Sequence, residues 1–218
     1  MAGTCDAGGM NGVWLSRICL VIGLLAGPLA GARNLDQLAA VLRDGDVVFT
    51  GGAAGQGAAI IEATNSPVTH CGVVFRENGG WKVLEAVQPV RVTPLADFVK
   101  LQGTKTFGIY RLKTPPEGPA MARAWKWGRA QIGKNYDLRF LWGDETMYCS
   151  ELVWKMYDKA GVRLCEPRTF KDYALEKPAV RKLIKERFGD RTHLPENELV
   201  VAPSDLAASP LLEKIRGY

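Results

Sequence analysis

The chain has no apolar run of the roughly 18 to 20 residues that a bilayer-spanning helix requires, which excludes a multi-span membrane protein. Cysteine is sparse, five in 218 residues. That is too few for a disulfide scaffold, and no Cys-x-x-Cys pair is present to suggest a zinc ribbon or a dithiol redox motif. Gly-x-Ser-x-Gly is absent, so nothing marks a serine nucleophile elbow. The glycine-rich stretch Gly51 to Gly57 lacks the Gly-Lys-Ser/Thr ending of a phosphate loop and the strand-helix context of a dinucleotide fingerprint. It reads as a flexible turn leading into a helix over Ala58–Ala63. No basic groove interleaved with aromatics is evident, which argues against nucleic acid as a partner. No internal repeat stands out.

What is present is ordinary for a globular chain. Hydrophobic residues make up 47% and charged residues 23%, enough for one domain with a full core. Residues 1–32 differ from the rest. Arg17 precedes the apolar stretch Ile18–Ala26, and Pro28 and the small residues Ala30-Gly31-Ala32 follow. That is the order of a secretory signal, so the expectation is an exported protein, periplasmic or secreted, with a single domain over residues 33–218. An uncleaved anchor or a buried helix are the alternatives. The stretch before Arg17 is long and carries Asp6, which makes Met10 a second candidate start. Removing 1–32 takes away one acid and one base, leaves the net charge at +5, and leaves Cys71, Cys149 and Cys165. In an oxidising compartment an odd set cannot all pair within the chain.

Periodicity suggests the elements. A helix over Leu35–Leu42 stops at Asp44-Gly45, and Asp46–Thr50 reads as a buried strand. His70–Arg76 and Trp81–Val87 flank Asn78-Gly79-Gly80, a hairpin pattern. Thr106–Leu112 is a further strand, Pro119 opens a helix running to about Ile132 with Gly133 as its stop, and Cys149–Ala160 is another helix. Leu199–Ala202 reads as the last strand. A few antiparallel strands with helices before and after make an α+β domain. In the basic stretch Lys177 to Arg191, Val180, Leu183, Ile184 and Phe188 fall near helical spacing. This predicts an amphipathic helix packed by that stripe, with contact to an anionic envelope surface as the alternative.

Two segments carry candidate chemistry. Leu152, Val153, Met156, Tyr157 and Ala160 form one helical stripe, and Cys149 lies on it in the first turn. There the free backbone N–H groups and the helix dipole favour a thiolate. A small core hydrophobe is the plainer role for a cysteine at such a place. His70 opens an apolar strand, an unfavourable place for imidazole without a partner. If Asn78-Gly79 forms a two-residue turn, Gly72 faces Glu85 and His70 becomes the diagonal neighbour of Glu85, roughly 7–8 Å away at the backbone. A three-residue turn would put the two on opposite faces. A paired histidine and glutamate orient the ring and stabilise imidazolium, completing a nucleophile–base–orienter set. Adjacent in a strand, His70 and Cys71 point to opposite faces, so they are not expected to bind one metal, and Cys71 is read as core. A Cys149–Cys165 disulfide would abolish a thiol mechanism. His193, in a polar stretch, is read as surface.

The pieces Leu42-Arg43-Asp44-Gly45-Asp46-Val47-Val48-Phe49, Thr69-His70-Cys71-Gly72-Val73-Val74, Val83-Leu84-Glu85-Ala86, Gly133-Lys134-Asn135-Tyr136-Asp137 and Tyr148-Cys149-Ser150-Glu151-Leu152-Val153 together resemble the permuted papain-like amidases of the YiiX/YaeF type, relatives of the NlpC-type hydrolases. The likeness spans roughly residues 40–210, with histidine before cysteine. It implies a papain-like α+β fold, with a small antiparallel sheet or half-barrel packed on the helix that carries the nucleophile. It implies Cys149 as nucleophile, His70 as general base, Glu85 as orienter and Tyr136 near the oxyanion site, with no metal or organic cofactor required. The expected activity is that of a cysteine amidase or peptidase acting on a peptide, acyl-amide or lipid-linked substrate of the cell envelope. A non-catalytic binding module on the same fold, or an acyltransferase using the same thiol, are the alternatives.

Overall fold

Alternation along β-branched and aromatic runs builds a sheet that is apolar on both faces. The computed structural model describes residues 37–102 and 106–217; the expected signal segment, residues 1–32, lies outside the described residues. Strands β1 (Val47–Thr50), β2 (His70–Glu77), β3 (Gly80–Glu85), β4 (Arg91–Pro94), β5 (Phe107–Leu112) and β8 (Leu212–Gly217) form one sheet in the order β4-β3-β2-β1-β5-β8. Every neighbouring pair is antiparallel. Two further strands, β6 (Arg168–Thr169) and β7 (Leu199–Val200), pair only with each other.

On one face, Val47, Phe49, Cys71, Val73, Phe75 and Leu84 pack in a core with Cys149, Leu152, Val153, Met156 and Tyr157. These last five belong to α4 (Cys149–Lys159), which lies beside α3 (Gly118–Arg129). On the other face, Val48, Val74, Val83, Phe107 and Ile109 meet Leu38, Leu42, Leu95 and Phe98. Leu95 and Phe98 come from α2 (Leu95–Gln102). A third core lies between α1 (Gly57–Thr64) and α5 (Pro178–Phe188), where Ala59 meets Val180 and Ile184. The short α6 (Pro203–Ala207) leads into β8.

Asp46, 1% exposed, closes this frame. Arg111 on the neighbouring strand donates from Nε to Oδ1 and from Nη2 to Oδ2, both at 2.7 Å, and the Arg43 N–H adds 2.8 Å to Oδ2. A two-pronged guanidinium contact of this kind gives a buried carboxylate both charge and hydrogen bonds.

The α+β expectation is met, with differences at the margins. The described part of the first expected helix, 37–39, is helical and passes at once into a turn, with Leu38 and Leu42 buried. The second hairpin strand ends at Glu85, two residues short of Val87. Strand β4 and helix α2 were not anticipated: Arg91-Val92-Thr93-Pro94 is short and ends in proline, a residue that suits a strand edge. Leu199–Ala202 is not the last strand. Only Leu199–Val200 is paired as a strand, and β8 follows it. The Leu-Glu-Lys-Ile-Arg of β8 is the charged composition of an edge strand.

Candidate active site

Helix α4 begins where Tyr148 is extended, φ −102° and ψ 166°, and Cys149 is the first helical residue. The first N–H groups of a helix have no acceptor one turn back, so this end presents donors and partial positive charge. Glu151 in the same turn accepts from the Tyr148 and Gly143 N–H groups at 3.3 Å each and from Lys155 Nζ at 2.8 Å. The buried stripe of α4 presses the helix on the sheet and holds Cys149, 3% exposed, over the start of β2.

The hairpin turn sets the other half. Asn78 and Gly79 have φ of 50° and 77°. Two successive left-handed residues make the two-residue turn whose twist matches the strands, and glycine enters this region without a Cβ penalty. The register Val73↔Leu84 through Glu77↔Gly80 follows, and it makes His70 and Glu85 diagonal neighbours, as the two-residue turn predicted. His70 Nε2 lies 2.7 Å from Glu85 Oε2. That bond leaves Nδ1 as the ring nitrogen available to the thiol.

Groups from β4 and α2 fix this pair. Thr93 Oγ1 donates to Glu85 Oε1 at 2.5 Å, Arg91 Nε is 3.7 Å from the same oxygen, and Phe98 stacks on the His70 ring with centroids 5.8 Å apart. Glu85 is 1% exposed. Burial pushes its carboxyl up, but the bonds from His70 and Thr93 outweigh it and hold it below the ordinary range. Burial likewise pushes the His70 imidazolium down, and the bonds to Cys149 and Glu85 outweigh it, raising the ring to about 10.

The Cys149 sulfur is bonded first by the Cys71 thiol and then by the His70 ring, and these bonds overcome burial and hold it well below the ordinary thiol range. Cys71 is held well above that range by burial and by the negative Cys149. Of the two thiols, Cys149 is thus the one favoured as thiolate and Cys71 the one favoured as thiol. Cys71 is a buried core residue, as expected, and its thiol also bears on Cys149. Cys71 does point into the α4 core while His70 stacks on Phe98 across the sheet. His70 is the first residue of its strand, and both it and Cys71 act on the proton affinity of Cys149. Cys165 is unpaired, as are Cys71 and Cys149, so the Cys149–Cys165 disulfide is not formed. His193 is exposed beside Asp190, at the surface as expected.

Tyr136 joins the same site. Its hydroxyl accepts from Gln56 Nε2 at 2.7 Å, and its backbone N–H donates to Gln88 Oε1 at 2.7 Å. Burial and the charge on Cys149 push its proton affinity well up, so it stays a donor. Gln56 in turn takes a 2.7 Å bond on Oε1 from Arg187 Nη2, and the Arg187 guanidinium lies 4.9 Å from the Phe140 ring centroid. Gln56 went unread because it sits in the glycine-rich stretch. That stretch is shaped by close approach more than by flexibility: a Cβ on Gly57 would stand 1.8 Å from the Gly52 carbonyl oxygen.

A cavity opens from this point. Cys149, Tyr136 and Tyr148 are among its lining residues, with Ile60 and Ala63 of α1, Leu183 and Ile184 of α5, and Phe170, Leu175 and Val201 from the segments on either side of α5. Its walls are almost wholly apolar, and the space within it, mouth included, is about 770 Å³.

A family model described as permuted papain-like amidase enzyme, YaeF/YiiX, C92 family, matches residues 41–216. A protein of Escherichia coli K12, the uncharacterized protein YiiX, is 32% identical over 172 residues, covering 78% of this chain and 84% of its own. A crystal structure of YiiX from Escherichia coli O157:H7, there described as a metalloprotein, superimposes with a TM-score of 0.74 at 32% identity, covering 81% of this chain and 97% of that one.

Proposed function

Because this chain belongs to the permuted papain-like amidase family of the YaeF/YiiX type, we propose that it is an exported cysteine amidase. Its Cys149, His70 and Glu85 act as nucleophile, proton carrier and orienter on a cell-envelope peptide, acyl-amide or lipid-linked substrate. One observation carries this reading: His70 Nε2, at the start of the strand over which the first turn of the Cys149 helix is packed, is held 2.7 Å from the buried Glu85 carboxylate. That arrangement supplies a preformed thiolate beside a proton donor. Among the described residues no group of three or more His, Cys, Asp or Glu side chains is placed to hold a metal ion, and the steps below use protein groups alone.

In the first step the Cys149 thiolate attacks the carbonyl carbon and a C–S bond forms. The oxyanion is met by the Cys149 N–H at the helix start and by the Tyr136 hydroxyl, whose orientation Gln56 fixes. His70 gives its proton to the leaving nitrogen as the C–N bond breaks, leaving an acyl-enzyme thioester. In the second step water attacks the thioester and His70 takes its proton. The C–S bond breaks, and the acid leaves with the thiolate restored. Glu85 stays ionised throughout and keeps the ring aimed.

The test is a thiol-directed probe on the folded protein, with the labelled residue identified by mass spectrometry. It is paired with assay of the Cys149→Ala variant on murein peptides, acyl amides and thioesters. Cys149 should label first and the variant should lose turnover. Labelling of Cys71 or Cys165 with Cys149 silent would overturn the assignment.

A further inference from the structure

We infer that Arg187 and Gln56 are positioning residues of the proposed reaction: together they lock the Tyr136 hydroxyl as a donor to the oxyanion that forms when Cys149 attacks. This rests on the reading of Cys149 as nucleophile and of Tyr136 beside it. It goes beyond that reading by giving roles to two side chains that never touch the reacting atoms, one from the end of α5 and one from the start of α1.

The direction of each hydrogen bond follows from what each group can give. A guanidinium has five N–H donors and no acceptor, so the Gln56 atom 2.7 Å from Arg187 Nη2 must be the amide oxygen. The amide NH2 is thereby turned to Tyr136 and donates to its hydroxyl oxygen at 2.7 Å. A phenolic oxygen that accepts along one direction keeps its single proton for another. Tyr136 and Cys149 line the same cavity, and burial together with the charge on Cys149 keeps that proton on the oxygen. Without Arg187 the amide is free to turn over, offer its oxygen to Tyr136 and draw the proton away from the reaction.

Arg187 also sets the ring. Its other amino group, Nη1, donates to the Leu138 carbonyl, within a turn that Asp137 closes by accepting the Arg139 N–H at 2.8 Å and the Leu141 N–H at 2.9 Å. That turn holds Phe140 at φ 55°, a left-handed conformation that a bulky side chain seldom takes and that persists where the surroundings over-determine it. Phe140 meets the Tyr136 ring edge to face, centroids 6.4 Å apart, and the Arg187 guanidinium lies 4.9 Å from the Phe140 centroid. One cation thus holds both ends of the tyrosine, the ring through Phe140 and the hydroxyl through Gln56. The docking of α5 has other supports: the Ala179 N–H donates to Glu62 Oε2 at 2.8 Å, and Val180 and Ile184 pack with Ala59.

The experiment follows Cys149-dependent hydrolysis of p-nitrophenyl acetate by the full chain, with Cys149→Ala as the blank and a melting temperature for every variant. Removing one oxyanion donor costs about 10²–10³ in kcat, so Tyr136→Phe sets the scale. Gln56→Glu keeps the shape and gains an ion pair with Arg187, so a merely structural role predicts native melting and native turnover. As a carboxylate, however, it has no proton to give Tyr136 and accepts the phenolic one. Its kcat should therefore fall by about 10²-fold, with KM little changed. In the Tyr136→Phe background the same change should cost less than about threefold, because no hydroxyl remains to be turned. Arg187→Met should lower kcat about tenfold, and Arg187→Lys, which still donates to the Gln56 oxygen, should recover most of it. Native kcat in Gln56→Glu or in Arg187→Met, or a Gln56→Glu loss just as large without the tyrosine hydroxyl, overturns this inference and leaves the hydrolase. Absence of any Cys149-dependent turnover overturns both.

Discussion

Replacing Glu85 by glutamine keeps the side chain's shape and one acceptor oxygen but removes the charge behind His70. The bond is 2.7 Å between Nε2 and Oε2, which puts the two charge centres about 4 Å apart. At the effective dielectric of about 20 that describes protein sites, such a pair is worth about 4 kcal/mol, or about 3 units of proton affinity at 1.36 kcal/mol each. The amide oxygen restores part of this as an ordinary hydrogen bond, so a fall of about 2 units is expected for the ring. The chain has two histidines, which makes the measurement direct: few imidazole NMR signals have to be assigned and followed against pH. In the native protein His70 should titrate near 10, and in Glu85→Gln well below that. The raised value also sets the stability window. The contribution of His70 is fully present below the ordinary imidazole value and is lost as pH rises through about 10. The variant should therefore lose most of its stability difference from the native protein at high pH. A native His70 that titrates near the ordinary value of 6.5, or a variant that titrates where the native protein does, would refute the reasoning.

Three other perturbations test neighbouring parts of the structure. Cys71→Ala removes the leading donor to the Cys149 sulfur; a hydrogen bond to a charged group is worth about 1.5–3 kcal/mol, so the acid limb of Cys149 labelling by iodoacetamide should move up by about 1–2 units. An unmoved limb would show that His70 alone sustains the thiolate. Arg111→Met leaves Asp46 buried and charged without its guanidinium, and urea unfolding should show a loss of about 3–5 kcal/mol; a loss under about 1 kcal/mol would contradict the buried-pair account. Glu151 is raised to about 7 by burial, against the pull of Lys155 and two N–H groups. The stability it contributes is thus present below about 4.5 and lost as pH rises through 7, and Glu151→Gln should flatten the fall in melting temperature between pH 5 and 8.

The site and its scaffold were unequally legible in the chain. Cys149 could be placed because the stripe from Leu152 to Ala160 has helical period and extrapolates back to it. The His70–Glu85 pairing could be placed only on the condition of a two-residue turn at Asn78-Gly79, and the left-handed φ of both residues and the register that follows selected it over the three-residue alternative. These are local rules acting over a few residues, so they survive without knowledge of the rest of the fold. What holds the pair is different. Thr93, Arg91 and Phe98 come from β4 and α2, where a short proline-ended strand gives no periodic signal. Gln56 reaches Tyr136 across the fold from a loop whose composition suggests only a turn.

By itself, then, the order of residues pointed to the helix that carries Cys149 and to the α+β class, and offered the hairpin register as one of two, because period and turn chemistry are short-range. Only the tertiary structure decided that Cys71 comes to bear on Cys149 along with His70, since strand alternation predicts that adjacent residues point to opposite faces. It alone decided that α5 turns its stripe toward α1 and opens an apolar cavity at Cys149, because two helices so far apart in the chain become one wall only when the chain has packed.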